Sequence, residues 1–570
     1  MSENKNKKIL YINPDNNKSP DSRDIVTRLA PLSGSSALNM VLDHENPKEL
    51  VRSMTKIDLY WLIKKVGETD SSPLLALATT QQWQYILDME VWNKDTLNMP
   101  GVYQWLTGLH RADPEKLAGF LYSDDGSLLS HFFFSRIIDL KIKDNDDFVP
   151  PEGYISFDNL YYVKILAGEQ SQEVEAILKD LAFSDHTRFQ SLILGIQGSI
   201  PSEMEEEMYR LRSVRLAEEG YLPFDEAASV YAYIKCDRLE KDSTDYILNI
   251  PDDDDIREMI PVTPFIAARE DDFFAVAVNG INDYLVLDRL RLEFAGLCNQ
   301  IFSADMVRLE SVEDLTGICR KAGGYINTGL EKLSGGSRKL AEEFIKNHPL
   351  ISLFRAGFSQ ALELKWQAKR WIEASWFVKN NFGTEFWGEY TGEVLKGLLL
   401  DKPLYYSRGK AGESHRDFCS MDEIMETEIH LRRMIFFDML MEVITSGNKH
   451  LAPGPDKNDD TVIYSLVITL WVRKMTGLPE NFEPLSIKEA GHAFDILRRG
   501  EKSAPFNMNS CKGDFTDFFN SFHLPEGSFN KDFIKETLEA LWDEFTGEYA
   551  MVEISDLDPK YSKYVLIDKN

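Results

Sequence analysis

The sequence predicts a mainly α protein, an irregular multi-helical array with a small β-hairpin insert near residues 138–166. Three observations predict it. Apolar residues recur at three- and four-residue steps along most of the chain, the stripe of a helix with one buried face. Capping residues, prolines and glycines punctuate these stripes at helix-length intervals. Strict alternation of apolar and polar residues, the mark of a half-buried strand, is confined to one stretch.

Residues 1–30 are polar, rich in Asn, Lys, Asp and Ser, and are expected to form a tail. An N-terminal helical domain is expected over 31–250. Between Lys48 and Val66, Leu50, Val51, Met54, Ile57, Leu59, Leu62 and Ile63 form its first helical stripe. Gly67 is placed to stop that helix, Pro73 to start the next and Thr80 to cap the third. Near Ile138 the pattern changes. Asp139-Leu-Lys-Ile-Lys alternates, Pro150-Pro151 interrupts, and Tyr154-Ile-Ser-Phe and Leu160-Tyr-Tyr-Val are strand-like, so a hairpin or three-stranded insert is expected. Helices resume at Glu169. Pro201-Ser202 starts a long one, Gly220 ends it, and Pro223 opens the turn into the next, with Asp225 or a neighbour as its cap and Phe224 buried.

Residues 251–272 carry four consecutive aspartates, Asp252 to Asp255, and three prolines, and are expected to link domains. A central helical domain follows over 273–450. From Pro349 onward, Leu350, Leu353, Gly357, Ala361, Leu364, Ala368 and Trp371 share one face, while Arg355, Gln360, Glu363, Gln367 and Arg370 lie largely off it. About thirty residues there would make a strut of ~45 Å. The loop Ser446–Asp460 opens a C-terminal helical unit, 451–570, with helices expected at Thr461–Thr476, Ser486–Arg499 and Lys531–Phe545. Asp58-Leu-Tyr-Trp-Leu and Asn159-Leu-Tyr-Tyr-Val look alike but then diverge, so the array has no fixed period.

Composition bounds the function. Lys and Arg number 63 against 93 Asp and Glu, a formal charge of −30, which repels nucleic-acid backbones and anionic membrane surfaces. Five cysteines without a CxxC pair suit a reducing compartment. The N-terminus lacks the apolar core of a secretory signal. No apolar run approaches the ~20 residues a membrane span needs. The expectation is a soluble cytoplasmic protein.

Each recognisable constellation fails on its own chemistry. There is no GxxxxGK[ST], GxSxG or HExxH. Leu333-Ser-Gly-Gly-Ser337 has the form of an ATPase signature loop, but such a loop acts only on a nucleotide held by a phosphate loop elsewhere. It is expected to be a glycine stop between helices, as is Gly323-Gly324. His415-Arg416-Asp417 resembles a kinase catalytic loop but lacks the following asparagine and every companion motif. His415, Cys419, Glu426 and His430 are ligand types that a continuous helix would align, yet one helix cannot encircle an ion, and no metal is expected. Trp366, Trp371, Trp376 and Trp387, near Lys365, Lys369 and Arg370, are expected to be core anchors rather than a nucleotide platform. No catalytic residue and no cofactor are assigned.

Three stretches are distinctive together: Tyr209-Arg-Leu-Arg-Ser-Val-Arg-Leu-Ala-Glu-Glu-Gly-Tyr-Leu-Pro-Phe-Asp-Glu-Ala227, Gly323-Gly-Tyr-Ile-Asn-Thr-Gly-Leu-Glu-Lys-Leu-Ser-Gly-Gly336 and Leu353-Phe-Arg-Ala-Gly-Phe-Ser-Gln-Ala-Leu-Glu-Leu364. They resemble an uncharacterised bacterial family catalogued as domain of unknown function six-one-seven-eight. The resemblance covers most of the chain from about residue 40 and implies a bacterial cytoplasmic protein with no catalytic residue to transfer. It marks Arg212, Arg215, Gly220, Leu222, Pro223, Phe224, Asp225, Glu226, Gly324, Tyr325, Gly329, Gly335, Gly336, Phe354, Arg355, Gly357 and Phe358 as motif positions of unassigned role.

Three functions remain. The leading one is a helical scaffold or adaptor that binds a protein partner, one with a basic surface. The second is an enzyme or small-ligand-binding protein whose site is assembled from distant residues, near Tyr221 to Glu226 or Arg355, where a buried arginine facing carboxylates could orient an anion. The third is a metal-responsive regulator.

Overall fold

The computed structural model describes residues 22–143, 145, 147–166, 168–198, 200–241, 261–267, 272–307, 311–409, 412–446, 461–499 and 503–568. The protein is mainly α, and its strands form three two-stranded antiparallel sheets among the described residues. The chain divides into two compact units, Met1–Ala356 and Gly357–Asn570.

Local sequence sets the helix ends. Thr55 starts the Lys56–Val66 helix, its hydroxyl accepting from the Asp58 N–H at 3.0 Å, and Gly67, at φ 96°, ends it. The Thr80–Glu90 helix is capped by Thr79, one residue before the expected Thr80. Thr79 Oγ1 accepts from the Gln82 N–H at 3.1 Å, and Gln82 Oε1 accepts from the Thr79 N–H at 2.8 Å, a reciprocal box that Thr80 has no glutamine or glutamate to complete. Of the expected tail, residues 1–21 lie outside the described residues; Ser22–Leu29 is a helix that buries Ile25, Val26 and Leu29.

The β insert pairs Ile138–Ile142 with Tyr161–Ile165, Ile138 opposite Ile165 and Leu140 opposite Val163. The expected third strand is reduced to one bridge, Ile155 to Val163. Strands are not confined to this insert. Tyr405–Gly409 pairs with Gly412–Arg416, and Trp92–Asn93 with Thr96–Leu97. Their strands are short and polar, so no apolar alternation announces them.

Two helices differ from expectation. Val312–Ser334 runs unbroken for 23 residues with Gly323 and Gly324 buried inside it, so this pair is not a stop. The break falls at Gly335 and Gly336, at φ 56° and 80°, as expected of a glycine stop. The helix from Leu350 ends at Ala374 after 25 residues, about 37 Å rather than 45 Å. Ser375 is extended there, and buried Asp438 accepts from the N–H groups of Trp376 at 3.0 Å and Phe377 at 2.9 Å, starting a new helix. Leu350, Leu353, Ala361, Leu364 and Ala368 are buried as expected; Gln360 is buried too, against expectation.

Of the expected linker 251–272, residues 251–260 and 268–271 lie outside the described residues. The short Thr263–Ile266 helix within it is anchored by Asp58, which accepts from the N–H groups of Val262 at 3.1 Å and Thr263 at 2.8 Å. The loop 447–460 also lies outside the described residues.

The first unit packs Trp83, Phe120, Phe133 and Phe189 in its interior, the second Trp387, Trp471, Phe515 and Trp542. Cations inside both units satisfy helix C-terminal carbonyls. Lys116 donates to the carbonyls of Ala76 at 2.7 Å and Ala78 at 2.9 Å, and Lys365 to those of Leu400 and Asp401, each at 2.6 Å. No helix among the described residues is long and apolar enough to cross a membrane.

Candidate functional site

A set of buried ionisable groups lies between the Lys56–Val66 and Thr80–Glu90 helices. Both are buried on most of their circumference, so polar residues on them end up inside. Glu90 Oε1 accepts from Lys64 Nζ at 2.7 Å and from the Tyr60 hydroxyl at 2.5 Å, and Lys64 also reaches Glu68 at 3.0 Å. Burial disfavours the Lys64 ammonium, but its carboxylate partners outweigh that and raise its pKa. Burial and the neighbouring Glu90 push the Tyr60 phenol well up, so it remains a donor. Burial also raises the Glu90 pKa, although Lys64 and Tyr60 oppose the shift. Lys64 and Tyr60 are both favoured in their protonated forms, in which a lysine is no nucleophile and a tyrosine no base.

The first motif straps this centre from outside. From the Pro201–Glu218 helix, Arg215 meets buried Asp88 with two bonds, and Arg212 Nε donates to the Asp88 carbonyl at 2.6 Å while its guanidinium lies 5.4 Å from the Trp92 ring centre. Beyond the helix, the Tyr221 hydroxyl meets that of Tyr85 at 3.0 Å. Next to this strap is a cavity of about 30 Å³, lined by Gln84, Trp92, Asp125, Met208 and Arg215 among others, with Gln84 Oε1 unsatisfied. It has room for a water or two and is far below the ~300 Å³ of a ligand pocket.

The motif then turns. Gly220 sits at φ 87°, where a Cβ would approach Gly296 Cα to 3.2 Å, and only glycine suits that conformation and approach. Tyr221, Ala227 and Val230 are buried and Leu222 is half-buried. Phe224 is not core: it is 49% exposed, contrary to expectation. Pro223 starts the Phe224–Ala227 turn of helix with no side-chain cap, so Asp225 does not cap it either. In so short a turn one residue faces inward, and it is Ala227. Pro223, Phe224, Asp225 and Glu226 are all exposed.

The second and third motifs meet beside the segment that follows this turn. The Phe354 ring lies 5.8 Å from Tyr231 and 5.4 Å from Tyr325, and Arg355 Nη2 donates to the Ser229 carbonyl at 2.8 Å. Arg355 has no carboxylate partner among the described residues, so the expected arginine facing carboxylates is absent there. Gly324, Tyr325 and Gly329 are buried inside their helix; Gly335 and Gly336 are exposed at its end; Gly357 and Phe358 are buried at the start of the second unit.

The four expected ligand-type residues in the second unit do not share a helix. His415 is in a strand, its Nε2 2.9 Å from the Glu393 carbonyl. Cys419 Sγ accepts from Arg416 at 3.3 Å, Glu426 accepts from Tyr405 at 2.8 Å, and His430 packs its ring 5.1 Å from Tyr390. Of the tryptophans, Trp376 and Trp387 are core, Trp371 is half-buried 5.4 Å from Trp387, and Trp366 is exposed.

Sequence reasoning missed Asp58, Lys64, Asp88 and Glu90, which occupy positions where a helical stripe is read as solvated. The only available signal was their placement amid apolar neighbours on both sides.

Residues 15–568 match a family of unknown function (DUF6178). No curated protein and no solved structure matches the chain.

Proposed function

We propose that this chain, which belongs to that family of unknown function, is a helical scaffold or adaptor that binds a protein partner through the Pro223–Glu226 turn. One observation carries the reading: Phe224 is 49% exposed at the tip of a turn whose flanking residues are anchored on both sides. Gly220 is pressed against Gly296, Tyr221 is bonded to Tyr85, and Arg355 holds the Ser229 carbonyl. A rigidly held aromatic loses little entropy on docking, which is how a single residue becomes an anchor.

Asp225 and Glu226 beside it, and a chain charge of −30, favour a partner pocket that is apolar at its centre and ringed by Lys or Arg. Association with such a partner slows as salt is added, the Debye length falling to ~8 Å at 0.15 M. The same charge disfavours nucleic acid and anionic membrane, and the five unpaired cysteines favour the cytoplasm.

The experiment places a photo-crosslinking amino acid at position 224 in the cell of origin, with position 149 (Val149, 81% exposed) as a control. A discrete product at 224 and not at 149 is expected. The same products at both positions, or none at 224, would reject the turn as the docking element.

A further inference from the structure

A different part of the molecule carries an inference that does not rest on the scaffold reading. In the second unit a cleft of about 340 Å³ opens between the Met421–Ser446 and Lys531–Tyr549 helices. That volume lies within the range of small-molecule sites. Arg432 and Arg433 line one wall. In a chain with 30 more acidic than basic groups, neither arginine forms an ion pair or donates a hydrogen bond among the described residues.

Arg433 Nε is covered from solvent and has no acceptor. Thr537, 2% exposed on the opposite wall, also has a hydroxyl without a partner. A buried donor without an acceptor forfeits its hydration; such donors occur elsewhere among the described residues, at Arg498 and Trp542 for example, but here two belong to one cleft, which suits an acceptor supplied from outside. The cleft also includes the start of the Lys531–Tyr549 helix, where Asn530 caps the Phe533 N–H at 2.7 Å and the dipole favours negative charge. Arg432 sits 4.5 Å over the Phe533 ring, which fixes the guanidinium and leaves its in-plane N–H groups available.

The rest of the lining narrows the ligand. The exposed Ile429 and the edge of Phe533, whose ring also packs against Arg432 and Phe529, give an apolar patch. Asp532 and Glu536 stand on the rim as carboxylates. They repel a polyanion such as a nucleotide and attract an ammonium group. We propose that the cleft binds a small apolar α-amino acid, its carboxylate on Arg433 and Arg432, its ammonium toward Glu536 and Asp532, and its side chain on Phe533 and Ile429.

Saturation-transfer NMR on the full chain tests this, with L-leucine, L-methionine and L-phenylalanine as probes at millimolar concentration. 4-Methylpentanoate, which lacks the ammonium, and 3-methylbutylamine, which lacks the carboxylate, serve as comparisons. At least one amino acid should bind, more tightly than either comparison compound. Binding should vanish in Arg433→Met and weaken in Glu536→Gln, a change on the exposed rim that leaves the core alone. If Arg433→Met does not fold, Arg433→Lys replaces it and should lose most of the binding, because an ammonium cannot supply the fork. Three silent amino acids, binding that survives loss of the Arg433 guanidinium, or a carboxylate that binds as well as the amino acid would each overturn the proposal.

Discussion

Arg215 grips Asp88 with one edge of its guanidinium in a two-bond fork, Nε to Oδ2 at 2.7 Å and Nη2 to Oδ1 at 2.8 Å, with the Asp88 side chain 4% exposed. This contact joins residues 127 positions apart and ties the first motif to the Thr80–Glu90 helix. Arg215→Ala leaves a buried carboxylate without its cation, so it should destabilise the unit by about 3 kcal/mol. Arg215→Lys should recover less than half, because an ammonium cannot make both bonds in one plane. Denaturant titration of the two variants checks both statements.

Asp58 supplies a pH test. Burial raises its pKa above the ordinary carboxylate value, although Thr263, Thr55 and Val262 donate hydrogen bonds that oppose the shift. A folded-state pKa above the unfolded one means that the folded chain holds the proton more tightly. The stability this contributes is complete below the unfolded pKa, near ~4, and is lost as pH rises through the raised folded value. Asp58→Asn cannot titrate. The stability gap between parent and variant should therefore shrink as pH is raised from 4 toward 7. Melting both proteins across that range checks it; a gap that widens with pH would contradict the stated sign.

Gly220→Ala should cost about 1–2 kcal/mol, since φ 87° disfavours any L side chain and the new methyl would press on Gly296. Thermal melting of the single variant reads the cost directly.

Cys298 and Cys319 lie on adjacent helices with their sulfurs 3.7 Å apart, both buried, and burial pushes the Cys298 thiol well up. A protonated, covered thiol reacts slowly. A thiol reagent applied to the native protein should label the half-exposed Cys236 and Cys419 quickly, and reach Cys298, Cys319 and Cys511 only on unfolding. Mass mapping of the labelled sites checks the order.

The helical class was legible because period and punctuation agree. The glycines at 67, 220 and 335 each end a helix, as the left-handed or turning backbone there requires. Gly323 and Gly324 misled because a glycine inside a buried helix has the same letter as one that ends it; packing by neighbours decides between them. The Tyr405–Gly409 hairpin was hidden because its strands carry serine, arginine and histidine at positions where alternation would show. Phe224 was misassigned by hydrophobicity alone: the turn is only four residues long, and Ala227 takes its inward position. The cleft around Arg433 left no trace in the sequence, because its two walls are about a hundred residues apart and each looks like an ordinary solvated helix face.

The most direct test of the docking turn is equilibrium binding of the protein crosslinked at position 224, measured against the parent and Phe224→Ala. Phe224 is exposed, so its loss should change stability by no more than about 0.5 kcal/mol while weakening binding by about 2 kcal/mol, some thirtyfold in affinity. A Phe224→Ala protein that melts like the parent and binds the partner equally well would contradict the account.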